Sequence, residues 1–319
     1  MKPIISTIVL SLCTLFPLSN IDIESNKLNT LDFPFNTSKI NTKYSEFPSA
    51  IFKNKLIIVS SKKIGAFGNG TDENTKEPFS ELFCLDIDDL GELSNPLFFS
   101  RTLNTKHSEG QVSFSPNERV IYYTRSQRDN SKNYQLYRAN LNVSSSKIWI
   151  NEKRLTKNVN HSIENPHVSP DGKKLYFSSN LPGSIGGYDL YVSEILNNGT
   201  LGVPKNLGDK INTPLDDKFP FLSKDGTQLY FSSQGHNTIG GFDVFVSQVI
   251  NDDYQVPTNL EENINTPYDE VAFMLINNNG QGYLSSNKPG GKGNFDIYSF
   301  YLESQFKIEE VFANKTDKK

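Results

Sequence analysis

One stretch of this chain occurs twice with the same pattern. Residues 169–194 read SPDGKKLYFSSNLPGSIGGYDLYVSE, and 54 residues later 223–248 read SKDGTQLYFSSQGHNTIGGFDVFVSQ. Self-similarity at a period near 50 residues confines a chain to a repeat architecture, because no single unit can bury its apolar face alone. Aligned by this period, the sequence contains five repeats. The end of one strand marks them as Ser60-Ser61-Lys62, Thr124-Arg125-Ser126, Ser178-Ser179-Asn180, Ser232-Ser233-Gln234 and Ser285-Ser286-Asn287, with last residues spaced 64, 54, 54 and 53. The start of the next strand marks them again as Glu81, Gln135, Asp189, Asp243 and Asp296, spaced 54, 54, 54 and 53. The long first interval is therefore an insertion within 63–78.

Each repeat parses into four short strands, clearest in the fourth. Residues 219–222 form a short apolar run suited to an inner strand A. Asp225-Gly226 then turns the chain into strand B at 228–232, as Asp171-Gly172 does one repeat earlier. A loop ending in Gly240-Gly241 leads to strand C at 242–248, whose side chains alternate between faces. Residues 254–260 read as the outer strand D. Gly186-Gly187 and Gly293-Asn294 hold the place of the double glycine in repeats three and five, whereas repeats one and two have Glu77-Pro78 and Lys132-Asn133 there. Asp171, Asp225, Gly186, Gly187, Gly240, Gly241, Asp189, Asp243 and Asp296 are thus read as what each repeat needs for its fold, the last three by bonding the neighbouring loop.

A connector of its own follows strand D: Ile40-Asn41-Thr42, Leu103-Asn104-Thr105, Ile211-Asn212-Thr213 and Ile264-Asn265-Thr266, with Val159-Asn160-His161 in the third repeat. A connector before the first repeat implies an outer strand that precedes it and has no blade there. The solution is circular: 28–36 pairs as strand D beside strand C of repeat five, leaving no open edge between first and last unit. Four-stranded units repeated radially make a β-propeller. The expected fold is all-β, a five-bladed β-propeller over 28–305, with repeats at about 40–95, 103–150, 159–205, 211–258 and 264–305 and an extension at 306–319. Six blades, one assembled from both ends, is the alternative.

These residues resemble a known repeat. SPDGKKLYFSSN followed by GGYDLYVSE is similar to the WD40-like propeller repeat of the TolB type, in the version common in envelope proteins of Bacteroidetes. The resemblance spans about 40–300 and is strongest in repeats three to five. It implies a propeller that mediates protein contacts, often beside a peptidoglycan-binding OmpA-like domain and sometimes within gliding or type IX secretion components. The chain ends soon after repeat five, which removes the expectation of a cell-wall anchoring domain.

Residues 1–19 read as a secretory signal: Lys2 precedes an apolar run at 4–18 that is too short to span a bilayer. Cys13 stands behind Leu10-Ser11-Leu12, a loose match to a lipoprotein box in which Leu12 is larger than expected. A lipid anchor at Cys13 is accordingly the lesser reading, and cleavage near Ser19 the preferred one. The expected location is the periplasm, the outer-membrane surface or the medium. Cys84 would then be the only cysteine, so no intrachain disulfide is expected, and its strand context makes it a buried thiol. With a net charge of -4 and scattered basic residues, the chain lacks the footprint of a nucleic-acid binder.

One acid precedes strand A in every repeat: Glu46, Glu109, Glu164, Asp217 and Glu270. Connectors and B–C loops emerge on one face of a propeller, so these carboxylates are expected to ring one mouth of the channel. They would bind a cation or a basic segment there, or, as the simpler reading, accept hydrogen bonds from their own connectors. Five-bladed propellers also house glycosidases, which need two carboxylates in distinct environments; the repeat sets none apart. His107, His161, His167 and His236 show no metal-ligand spacing, and no metal or cofactor is expected. Phe67, in the inserted loop, is the candidate partner contact. The resulting expectation is a non-catalytic exported scaffold that binds a protein partner in the bacterial envelope. A carbohydrate-active propeller, hydrolytic or glycan-binding, is the alternative.

Overall fold

The computed structural model describes residues 35–62, 70–73, 75–127, 130–144, 148–156 and 160–302. The signal and lipid-anchor readings, Phe67, residues 28–34 of the expected closing strand, residues 303–305 and the extension at 306–319 lie outside them.

Strand β1 (Asn36–Thr37) comes first and belongs to the last blade. Blade one is β2 (Glu46–Phe52), β3 (Lys55–Ser60), β4 (Glu81–Asp86) and β5 (Leu97–Phe98). Blade two is β6 (Glu109–Phe114), β7 (Val120–Gln127), β8 (Asn130–Leu141) and β9 (Trp149–Arg154). Blade three is β10 (Ile163–Val168), β11 (Lys174–Ser179), β12 (Asp189–Glu194) and β13 (Lys205–Asn206). Blade four is β14 (Asp217–Leu222), β15 (Gln228–Ser233) and β16 (Asp243–Ile250), with β17 (Asp253–Tyr254) and β18 (Thr258–Asn259) both paired to β16. Blade five is β19 (Glu270–Leu275), β20 (Gln281–Ser286) and β21 (Asp296–Tyr301), completed by β1 through Asn36↔Ser299 and Thr37↔Tyr298. The fold is a five-bladed β-propeller closed by its N-terminal strand.

The outer strand of blade four departs from the continuous 254–260 expected. Asn251 and Asp252 take positive φ of 50° and 65° and fold β17 straight back on β16. Pro257 then offers no N–H to the ladder, and pairing resumes only at β18.

The middle strands are apolar on both faces because each blade is packed on both sides. Five clusters result, one at each seam. Ile57, Leu82, Val112 and Tyr123 join blades one and two. Leu56, Phe83, Met274 and Tyr283 join blades five and one across the closure. Trp149, on the outer strand of blade two, packs against Phe52, Phe99 and Phe114 with ring centroids 5.6–6.1 Å apart.

The connectors explain themselves residue by residue. Their first residue (Ile40, Leu103, Ile211 or Ile264) is buried in a seam. Their asparagine grips both main-chain groups of one residue in the preceding strand C. Asn265 Oδ1 accepts the Val244 N–H at 2.7 Å and its Nδ2 donates to the Val244 carbonyl at 2.9 Å; Asn212 does the same at Leu190, Asn104 at Leu82 and Asn41 at Ile297. The double glycines are needed for close approach. A Cβ on Gly186 would collide with the carbonyl oxygens of Thr213 and Leu215, and one on Gly240 with those of Thr266 and Tyr268.

Neighbouring inner strands share no ladder, so side chains take over. Ser49 Oγ accepts the Val112 N–H at 2.7 Å, Ser113 Oγ that of Val168 at 2.9 Å, and His167 Nε2 that of Leu222 at 3.0 Å. Each inner strand also carries a register shift. In blades three to five it places Asn165, Phe219 and Ala272 at φ of 51°, 56° and 55°.

Candidate functional site

Four of the five repeated acids open their inner strand and turn toward their own connector. Thr42 donates to Glu46 through its N–H at 3.2 Å and its hydroxyl at 2.5 Å. Thr213 donates to Asp217 at 2.6 and 3.0 Å, and Thr266 to Glu270 at 2.7 and 2.6 Å, in both cases through N–H and hydroxyl. The Thr105 hydroxyl reaches Glu109 at 2.7 Å. In each case the threonine stands four residues before the acid, the span of the connector bend. Strand B adds a donor: Ser60 to Glu46, Ser286 to Glu270, and in blade two Arg125 Nε to Glu109 at 3.0 Å. These carboxyls are buried, and loss of solvent pushes Glu46 and Glu109 up to about 7, Asp217 up to about 6 and Glu270 upward.

Glu164 does not match the other four. Ile163 takes the register position opposite Ser179 that Asp217 takes opposite Ser233, and Glu164 sits one residue on, opposite Ser178. One step along a strand exchanges the faces. Glu164 therefore shares its position with Phe47, Gly110, Lys218 and Val271, on the other side of the sheet from the remaining acids. There it accepts Lys218 Nζ at 2.8 Å, the Tyr188 hydroxyl at 2.8 Å and Ser162 Oγ at 2.7 Å. Lys218 Nζ also lies 3.8 Å from the centre of the Tyr188 ring. The cation beside it and these donors outweigh burial and hold the Glu164 carboxyl below its ordinary range. Five equivalent carboxylates were expected; the structure has four connector joints and one inter-blade ion pair.

Glu109 and Glu164 both line a cavity of about 730 Å³ at the connector end of the channel. Blades one and two dominate it. Gly110 stands where other blades carry a side chain, because a Cβ there would strike Thr124 Oγ1. The B–C loop of blade one contributes Asp72, Thr75 and Glu77. Glu77 accepts Ser45 N–H at 3.2 Å, Ser45 Oγ at 3.0 Å and Asn294 Nδ2 at 2.7 Å, tying blade one to blade five. Asn294 stands where blades three and four have Gly187 and Gly241, whose Cβ atoms would strike Asp216 and Asp269. Blade one has Ser45 at that point, so an amide fits.

The other marked residues hold loops. Asp189 accepts the N–H groups of Ile185 and Gly186 at 2.7 and 3.0 Å, Asp243 those of Ile239 and Gly240 at 2.6 and 3.1 Å, and Asp296 those of Lys292 and Gly293. Asp171 and Asp225 close the A–B turns by accepting the N–H groups of Lys173 and Thr227, each at 3.0 Å. Cys84 is only half-buried, and the partial burial pushes its thiol upward. His236 touches the Ile211 carbonyl at 2.9 Å and packs on Phe231 and Phe245. No cluster of three or more metal-ligating side chains occurs among the described residues.

Sequence reasoning missed two features. The connector asparagines stood only as part of a repeated signature and are clamps. Arg125 replaces a serine of the repeat and bridges Glu109 to Glu152, with Nη1 3.0 Å from Glu152 Oε1 and the guanidinium over the Tyr123 and Tyr137 rings. The break at Arg125 was visible in the triplet alignment.

No protein-family model matches the chain, and no curated protein matches it. Solved structures do. A glycoside hydrolase aligns over 84% of this chain and 91% of its own, at 8% identity and TM-score 0.58. The alpha-L-arabinofuranosidase from Lactobacillus brevis aligns over 84% and 94%, at 10% identity and TM-score 0.51. TolB from Acinetobacter baumannii is 18% identical over 82% of this chain, which spans 55% of that protein, at TM-score 0.41. At such identities the similarity speaks for the propeller fold alone, and the TolB superposition is too loose to carry more.

Proposed function

We propose that this chain is a non-catalytic propeller, exported to the bacterial cell envelope, whose connector face binds a partner protein as a scaffold. The observation that carries this reading is the use of the repeated acids. Four brace their own connectors, and the fifth is balanced by Lys218, so each of the five is already committed to holding the frame together. The same face offers anchors. Ile185, Leu215, Ile239 and Tyr268 are 44%, 53%, 39% and 42% exposed, and they alternate between B–C loops and connectors that press on each other through Gly186 and Gly240. Large apolar side chains grouped on one face are what a protein partner uses.

A photoreactive side chain at position 268 is expected to cross-link a discrete protein in an envelope fraction, and Leu215→Asp to abolish the product. Position 90, in the C–D turn at the opposite end of the blades, should give none. No product from 268, or equal products from both, would count against a connector-face scaffold.

One observation favours a carbohydrate-active propeller: Glu109 and Glu164 line the same cavity with their carboxyls pushed in opposite directions, as an acid and a base would be. Hydrolysis of a glycan panel that disappears in both Glu109→Gln and Glu164→Gln would establish that reading in place of the scaffold.

A further inference from the structure

The cavity differs in kind from the apolar rim around it. Its volume of about 730 Å³ is that of a small-molecule site and too small for a folded partner. The chemistry of its wall narrows the ligand. Amides and hydroxyls dominate, among them Gln111, Asn165, Asn294 and Thr124, and among the described residues no lysine, arginine or histidine is part of the lining. Asp72, Glu77, Glu109 and Glu164 stand in the same wall, so a phosphate or a carboxylate is disfavoured.

A cation is less suited than the four acids suggest. Glu109 already faces Arg125 at 3.0 Å and Glu164 faces Lys218 at 2.8 Å. Glu77 is engaged by Ser45 and Asn294. What remains is Glu109 Oε2, a buried oxygen without a partner among the described residues, beside amide groups that can both donate and accept. Hydroxyl groups match that mixture, since each gives one hydrogen bond and takes others. The rings of Phe47 and Phe295, with centroids 5.2 Å apart, add apolar faces at one side. Hydroxyl-rich edges with apolar C–H faces describe a sugar ring.

We propose that the cavity lined by Gly110, Gln111, Asn294, Thr75 and Glu77 binds a neutral saccharide of one or two rings, without cleaving it. This site is separate from the partner surface proposed above. It also accounts for where the repeats break. The loop inserted only in blade one supplies Thr75 and Glu77 to its wall.

Saturation-transfer NMR on the full chain tests it, with 1→4-linked disaccharides of glucose, xylose and N-acetylglucosamine as probes and lysine amide as a cationic comparator. At least one disaccharide is expected to show transfer to its ring protons, with affinity at least tenfold weaker in Gln111→Ala and in Thr75→Trp. Thr75 is exposed, so the second variant narrows the cavity without disturbing the core should the first fail to fold. Leu215→Asp, which tests the partner surface, should leave sugar binding intact, so the two readings can fail separately. The proposal is overturned if none of the three sugars shows transfer, if transfer survives unchanged in the folded variants, or if lysine amide alone binds.

Discussion

The connector asparagines permit a test with its own internal control. In Asn265→Ala the buried Val244 N–H loses its acceptor at 2.7 Å, the Val244 carbonyl loses a donor at 2.9 Å, and Asn259 Oδ1 loses a donor at 2.7 Å. Two of these groups have other support. The Val244 carbonyl still accepts the Leu260 N–H and Asn259 Oδ1 still accepts that of Glu261. The Val244 N–H points away from strand B and is left bare. A bare buried N–H costs about 1–3 kcal/mol and each of the two replaced hydrogen bonds about 1 kcal/mol, so the sum is about 3–5 kcal/mol. For a domain of this size that lowers the melting temperature by about 6–20 °C. Asn160, at the corresponding place in the third connector, is exposed, and Asn160→Ala should stay within about 0.5 kcal/mol of the native chain. Urea titrations of both variants, checked by thermal melts, measure the difference. Equal effects at the two positions would refute the idea that the connector asparagine locks each blade to the next.

Two further predictions follow from buried charge. Glu46 and Glu109 have folded-state carboxyls near 7 and Asp217 near 6, raised above 4.5 and 3.8, so their contribution is complete below about pH 4 and is lost as pH rises through 6 to 7. His167 lies the other way, depressed by burial from 6.5 to about 4, and its contribution is lost as pH falls through that window. The carboxyls outnumber it, so the urea midpoint should fall between about pH 5 and pH 7, and a rise across that range would contradict the assignment. At the ion pair, where both side chains are 17% exposed, Lys218→Met should cost about 2–3 kcal/mol by stranding Glu164, and adding Glu164→Gln should restore most of it. A double-mutant cycle in urea that found the two changes additive would exclude the coupling.

How much of this was legible beforehand depends on whether the signal was periodic. Blade number, the strand plan and closure by the N-terminal segment all follow from spacing, and the pairing of Asn36 with Ser299 realises the closure. The offset of Glu164 was also written in the spacing, which is 55 from Glu109 and 53 to Asp217 where the strand ends keep 54 and 54. It was hidden because an acid looks the same wherever it points, and only pairing register shows which face it takes. His167 was read by residue type; its task as acceptor for Leu222 is set by the gap between inner strands, which no local pattern encodes. The cavity was illegible for a different reason. Its wall draws on Thr75, Gln111, Asn165 and Asn294, far apart in sequence and brought together only when the ring closes.

The one-residue offset of Glu164 also has a use. In the inner strands, the residue that braces a blade and the residue that gives the channel its character are adjacent and independent. Phe47, Gly110, Glu164, Lys218 and Val271 form a five-character field, in which Glu164 and Lys218 change together, while the threonine-bound acids keep the frame in place. A ring built this way separates its address from its architecture, so the charge lettering of the channel can change without a new fold.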